Sequence, residues 1–296
     1  MNDIDRKKQL RADAMLLLVT TCWGVSYGLT AISLREVNTF MLTTYRFLGA
    51  FLIVALVAFP HIKKVNMKTL KYSMLIGFIL FIVYIGCTYA VICTSLSNAG
   101  FLCALPVVFT PLIAFLFQGK KPDRKFLLVI IICVLGIALL TLKENLTLAW
   151  GDLFAIGAAV AYAVDLLITE NAVKEEDVNA FQLGVFQLLF TGVFSGIFAL
   201  IIEEPSFPKS PKVFGAIIFL TVFCTGLAFI VQAVAQQYTS ASHVGVIFTL
   251  EPVFSGIVAF LFFKEVLIFR AYVGAVLLIG AIFIMEYEPK KKKKIK

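Results

Sequence analysis

Apolar residues run through this chain in long blocks, and polar residues are gathered into short breaks between them. A helix needs about 20 predominantly apolar residues to cross the hydrocarbon core of a bilayer. Blocks of that length fall at 12–33, 39–60, 72–93, 97–117, 126–142, 151–170, 180–202, 212–237, 240–265 and 267–287. The pattern predicts an all-α polytopic membrane protein with ten transmembrane helices. The first block follows a basic start but is too long for a signal-peptide core, so it is expected to remain as the first span.

The ninth block, SASHVGVIFTLEPVFSGIVAFLFFKE (Ser240–Glu265), carries Glu251 and Pro252 near its centre. Proline has no N–H to return to the Phe248 carbonyl. A carboxyl at that depth must be paired, protonated or facing water. Lipid meets none of these needs, so the helix is expected to line a polar cavity inside a bundle. By the rise of 1.5 Å per residue, Glu251 lies about 14 Å from one end of its span, close to mid-membrane. Pro252 is read as a hinge, as are Pro106 and Pro111 in the fourth block. A structural alternative is a glutamate hydrogen-bonded to a neighbouring helix at a passive kink.

The chain also repeats itself. NTFMLTTYRF (38–47) matches NAFQLGVFQL (179–188) at Asn, Phe and Leu, and LPVVFTPLIAFLF (105–117) matches LEPVFSGIVAFLF (250–262) at seven of thirteen positions. Trp23 falls against Tyr162 in the same order. The repeat divides the chain into residues 1–147 and 148–296, with five spans in each. Five is odd, so the second unit enters the membrane upside down, an inverted repeat of the kind found in secondary transporters. Two charges break the symmetry: Arg46 faces the neutral Gln187, and Glu251 faces Pro106. Arg46 lies about 10 Å inside its span. It is expected to meet an acid, a carbonyl cluster or an anionic substrate group, or else to snorkel outward.

Charge then orients the chain. Of 26 Lys and Arg residues, a cytoplasmic N-terminus with ten spans puts nineteen inside and six outside, with Arg46 within a span. This asymmetry predicts both termini in the cytoplasm. The polybasic stretch Lys290–Lys294 serves as a topology signal or lies on anionic lipid. Composition agrees: 60% of residues are hydrophobic, mean hydropathy is +0.96, and charged residues are 15%, against about 25% in soluble domains. Little chain remains for a soluble catalytic or nucleic-acid-binding domain.

There is no GxxxxGK[ST], HExxH or CxxC, so nucleotide-driven transport and a zinc site are not expected. Gly24-Val25-Ser26-Tyr27-Gly28 has the GxSxG spacing but lies inside the first apolar block, not at the strand-to-helix turn of a nucleophile elbow, so a serine nucleophile is not expected. No cofactor or metal is expected. The six cysteines all fall in or beside apolar blocks and are read as packing residues. What remains is polar and aromatic side chains on helical faces. Trp23, Tyr27, Tyr84, Tyr89 and Tyr162 would wall a substrate site, with Asn98, Asp165, Gln232 and Gln236 as its polar contacts. Glu251 would couple transport to an ion, with protons as the candidate. The expected partners are a small-molecule substrate and the lipid bilayer, not nucleic acid. The residues leave two classes open: a gradient-coupled carrier or uncoupled facilitator, and an intramembrane lipid-acting enzyme using Glu251 or Asp165.

Trp23-Gly24, Tyr45-Arg46-Phe47, SNAGFL (97–102) and Leu250-Glu251-Pro252-Val253-Phe254 followed by Glu265 resemble the EamA branch of the drug/metabolite transporter superfamily. Where that family usually reads Gly-Glu after the ninth span, this chain has Lys264-Glu265. The resemblance covers essentially the whole chain. It implies a secondary transporter of small metabolites, often an exporter of amino acids or related compounds; the plasma membrane is the expected location. It also implies a central cavity lined by spans 1, 3, 4, 6, 8 and 9, with spans 5 and 10 peripheral.

Overall fold

Every apolar block becomes helix, because a backbone in lipid must satisfy its own hydrogen bonds. The computed structural model describes residues 3–94, 96–141, 149–263 and 268–286. In chain order the helices are α1 (Asp3–Ser33), α2 (Thr39–Val57), the single turn α3 (Phe59–Ile62), α4 (Met67–Cys93), α5 (Leu96–Cys103), α6 (Pro106–Gln118) and α7 (Arg124–Thr141). There follow α8 (Trp150–Ala172), α9 (Ala180–Ile202), α10 (Pro211–Thr221), α11 (Ala228–Ala235), α12 (Ala241–Phe248), α13 (Glu251–Phe263) and α14 (Phe269–Glu286). A π-helical turn, Val222–Leu227, joins α10 to α11 without a break.

Local chemistry sets the ends. Asn66, Asn179, Ser210 and Ser240 each accept the N–H three residues on, capping α4, α9, α10 and α12. Gly119 ends α6 in the left-handed region, at φ +67°.

Eight stretches are long and apolar enough to cross a membrane among the described residues, and Phe269–Met285 is a shorter apolar helix. The molecule is therefore a multi-pass membrane protein. Among the described residues each of the ten expected blocks contains helix; the second ends in the separate turn α3, and the fourth and ninth are interrupted near their centres. In each of these two, two helical segments meet at a two-residue turn that keeps i→i+3 hydrogen bonds: Leu105 N–H donates to the Leu102 carbonyl at 3.2 Å, and Leu250 N–H to the Ile247 carbonyl at 3.1 Å. α5 stops at Cys103 and α6 starts at Pro106; α12 stops at Phe248 and α13 starts at Glu251. Pro106 and Pro252 occupy the first turn of the second piece, where a missing N–H costs nothing. Pro111 lies inside α6.

The packing follows the repeat. α2 lies along α9 and α7 lies along α14, and both pairs are equivalents under the sequence repeat. At the α7–α14 crossing the two backbones nearly touch: a Cβ on Gly274 would meet the Gly136 carbonyl at 2.5 Å. Small residues allow such approach where lipid gives no hydrophobic drive to helix pairing. α4 packs on α8, and α1 crosses α13.

Two clasps fasten the halves. At one end, Glu203 accepts the Phe40 and Met41 N–H groups at 2.9 Å each and so caps α2. There Glu36 also accepts the N–H groups of Lys209 (2.6 Å) and Ser210 (2.9 Å). At the other, the Gln182 amide donates to the His61 carbonyl at 2.8 Å, and Lys68 pairs with Glu175 at 2.9 Å. Hydrogen bonds from Ser210 and from the Lys209 backbone hold the Glu36 carboxyl below its ordinary range. A lowered value means that this contribution is full above the unfolded-state value and is lost as pH falls through the folded one. Hydrogen exchange at the Lys209 and Ser210 amides should therefore quicken as pH drops through the carboxylate range, after correction for intrinsic rates. Glu36→Gln should abolish that dependence.

Candidate functional site

The breaks in the fourth and ninth blocks bring Glu251 to the wall of a cavity of about 110 Å³ between α1, α2, α4, α5, α8, α11 and α13. Trp23, Ser26, Tyr27 and Thr30 line it from α1, in keeping with a helical repeat of three to four residues. Arg46, Tyr84, Cys87, Cys103, Tyr162 and Phe229 supply most of the remaining wall.

Glu251 is the first residue of α13, where the unpaired N–H groups and the helix dipole favour a negative charge. Tyr27 of α1 lines the same cavity wall. α1 is brought this close to α13 by Gly24, one turn before Gly28.

The aromatic wall is one connected set. Trp23 lies 4.8 Å from Phe248, 5.3 Å from Phe229 and 6.1 Å from Tyr162, between ring centroids. Phe47 stands edge-on to Tyr84 at 4.7 Å. Edge-to-face and tilted contacts of this kind stabilise by about 0.5–1.5 kcal/mol per pair beyond burial. The Trp23 indole N–H donates to the Cys224 carbonyl at 2.9 Å. That carbonyl belongs to the π-helical turn, a feature found often at functional sites.

A polar chain leads away from the cavity wall at Tyr162. The Tyr162 hydroxyl donates to Gln232 at 3.1 Å, the Gln232 amide donates to Gln236 at 3.3 Å, and the Gln236 amide donates to the Leu166 carbonyl at 3.0 Å. Both glutamines are buried. Beyond them Glu170 accepts the Ala241 N–H at 2.8 Å and pairs with Lys174 and, at 3.6 Å, with Lys120. Asp13 of α1 and His243 of α12 meet at 3.1 Å at the same end. α1, α6, α8 and α12 are thereby tied together.

The residues expected from the sequence thus separate. Trp23, Tyr27, Tyr84, Tyr162, Arg46 and Glu251 meet at the cavity, and Gln232 and Gln236 lie in the hydrogen-bonded chain that leads away from Tyr162. Tyr89 instead packs against Phe40 and Phe154 at centroid distances of 6.3 and 5.6 Å. Asp165 is buried in α8 away from the cavity wall, and its Oδ1 has no hydrogen-bond partner among the described residues. Asn98 lies on α5, but its side chain falls outside the described residues. Pro106, Pro111 and Pro252 are placed as given above. Lys264, Glu265 and Lys290–Lys294 are outside the described residues. Among those residues no cluster of three metal-ligating side chains occurs.

Phe47 was not among the expected site residues. Thr225 and Phe229 share one helical face with Gln232 and Gln236, at i, i+4, i+7 and i+11, a spacing visible in the sequence. A pair of cysteines also meets at the wall. Cys87 of α4 and Cys103 of α5 bring their sulfurs to 3.4 Å, against about 2.05 Å for a bonded pair. Copper–phenanthroline should join them, and Cys87→Ser should block the bond. Recovery of both thiols unoxidised from folded protein would contradict the placement of α5 against α4.

Comparison with known proteins supplies the wider setting. The model of the EamA-like transporter family matches the chain twice, over residues 10–142 and 149–287. An "Uncharacterized transporter" of Archaeoglobus fulgidus is 26% identical over 278 residues, covering 94% of this chain and 86% of its own. The "Uncharacterized transporter YetK" of Bacillus subtilis is 24% identical, covering 96% and 89%. A solved crystal structure superposes with a TM-score of 0.78 at 16% identity, over 93% of this chain and 96% of the other. At that identity the likeness speaks for the fold alone.

Proposed function

Since the chain belongs to the EamA-like transporter family, we propose that it is a secondary active transporter, an exporter of small metabolites such as amino acids, working by alternating access. In this reading α7 and α14 complete ten crossings, and the halves 1–147 and 148–296 are inverted repeats of five. The observation that carries the reading is the pair of matched breaks. Discontinuous helices at corresponding places in two halves mark the substrate and ion site of such transporters. Here α5/α6 and α12/α13 break at positions equated by the repeat, and Glu251 stands at one break on the cavity wall.

Aromatic rings bind the apolar body of the substrate, and Glu251 is the proton-coupling group. With both termini in the cytoplasm, the closed end formed by Gln232, Gln236 and Glu170 faces inward, and the cavity belongs to the outward-facing state. The plasma membrane is the proposed location.

Purified protein in sealed proteoliposomes tests this. Counterflow of labelled amino acids and related metabolites is expected, and it should be lost when the vesicles are made leaky. Turnover of bilayer lipid by the detergent-purified protein, with no vesicular transport, would contradict it. Orientation is checked by cysteine accessibility. Lys64→Cys and Lys293→Cys should react from the cytoplasm, and Pro208→Cys only from outside. An external Lys293→Cys, or Lys64→Cys and Pro208→Cys on one side, would overturn the orientation.

A further inference from the structure

Arg46 is a cation placed where a membrane protein can least keep one without a reason. The residue is 5% exposed, so it does not snorkel to the surface. Instead it lines the central cavity. Its Nε–H donates to the Thr225 hydroxyl at 3.2 Å, and its guanidinium lies 5.0 Å from the Tyr84 ring centroid. Those contacts fix its orientation. They do not match its charge, because neither a hydroxyl nor an aromatic face carries a full negative charge. Among the described residues no carboxylate comes within ion-pair distance of it, Glu251 on the same wall included. Its two terminal nitrogens have no hydrogen-bond partner there either. Truncating one member of a buried pair is costly because the remaining charge is left bare, and Arg46 stands in that bare condition.

We infer that Arg46, held by Thr225 and Tyr84, is the anion subsite of the cavity and receives a carboxylate carried by the substrate. Three features favour a carboxylate. The guanidinium fork matches it bidentately. One positive charge balances one negative charge. The Nε side of the fork is already occupied by Thr225, leaving the two terminal nitrogens for two oxygens. Thr225 belongs to the π-helical turn whose Cys224 carbonyl also holds Trp23. The turn therefore sets the anion subsite and the aromatic wall in one piece. Counterpart symmetry supports specialisation here. The repeat equates Arg46 with Gln187, which is neutral and donates to the Phe229 carbonyl at 3.4 Å. The inference rests on the carrier reading only for the word substrate; the binding claim stands without it.

The test uses purified full-length protein in detergent and thermal shift, since a ligand that binds only the folded state raises its apparent stability. The probes are acid–amide pairs: L-leucine with L-leucinamide, butyrate with butyramide, and succinate with succinamide, with phosphomonoesters as a separate arm. At least one carboxylate is expected to stabilise the parent protein while its amide does not. Arg46→Gln, the residue of the other half, should weaken that binding by about tenfold to a hundredfold. Arg46→Lys should recover part of it. A parent-like unliganded melting temperature and a monodisperse elution profile show that the Gln variant is folded; if it is not, Thr225→Ala, which loosens the fork, should weaken carboxylate binding in its place.

The inference is overturned if amides bind as well as acids, if no carboxylate binds, if phosphomonoesters alone bind, or if the folded variant binds like the parent. Carboxylate binding without vesicular transport would remove the carrier reading and keep the subsite. Transport confined to uncharged or cationic compounds would do the reverse.

Discussion

Glu251→Gln protein is expected to fold, bind and exchange substrate while losing accumulation driven by a pH gradient. Glutamine keeps the shape of the side chain, but it cannot take up or release a proton. Glu251 sits on the cavity wall at the first position of α13, beside the break after α12. That is a place where a change in access would move the carboxyl from one aqueous side to the other. With one proton per substrate, a gradient of one pH unit supports about tenfold accumulation, because about 1.4 kcal/mol corresponds to a factor of ten. The variant should fall from that ratio to none. Its counterflow, which needs no net proton movement, should persist. Parent-like accumulation by folded Glu251→Gln protein would remove the coupling role and leave the carboxyl as a helix-terminus contact.

Gly24→Ala should cost both stability and transport, and Gly28→Ala should cost neither. The two glycines stand one turn apart on α1. A Cβ at Gly24 would meet the Phe254 Cβ at 2.6 Å and the Ser255 nitrogen at 2.9 Å, whereas one at Gly28 meets nothing within 4 Å. The Gly24 contacts are to the near end of a side chain and to backbone, neither of which can swing aside. α1 must then part from α13, and overpacking of this kind costs about 1–3 kcal/mol. The same displacement would carry Trp23 and Tyr27 away from Phe248 and Glu251. Gly28→Ala should stabilise instead, by up to about 1 kcal/mol, through helix propensity. Paired thermal melts and counterflow assays check both. Equal behaviour of the two variants would contradict the close α1–α13 crossing.

The helices were legible because a lipid-spanning backbone leaves the chain little choice, and block length alone marks them. Glu251 was legible because a carboxyl and a proline at mid-span have few innocent explanations. The repeat pointed to Pro106 as its counterpart, and the two helix starts do coincide there. The short turn between the two segments was less visible. Proline removes a hydrogen bond, but whether the helix bends or parts depends on the neighbours that cover its freed groups.

The clasps could not be read. Glu36 and Glu203 look like ordinary loop acids until the fold brings them to backbone N–H groups more than 160 positions away. Nor does VFCTGL advertise a π-helical turn, since the shift of one hydrogen bond answers contacts with Trp23 and Arg46 on other helices. Tyr89 shows the opposite limit. On α4 it shares the residue type of Tyr84, but five positions turn it toward Phe40 and Phe154. Residue type alone does not separate a cavity wall from packing.

Alternating access requires that the end closed by Gln236, Glu170 and Ala241 should open in every cycle. Glu170 of α8 and the first residue of α12 meet there across a single hydrogen bond of 2.8 Å. The direct measurement joins them: Glu170→Cys with Ala241→Cys, in protein whose native cysteines are replaced, linked by a short thiol crosslinker in proteoliposomes. Counterflow should run while the pair is reduced, stop when it is linked, and return on reduction. Full counterflow through the linked protein would show that this closure never opens, and would contradict the account.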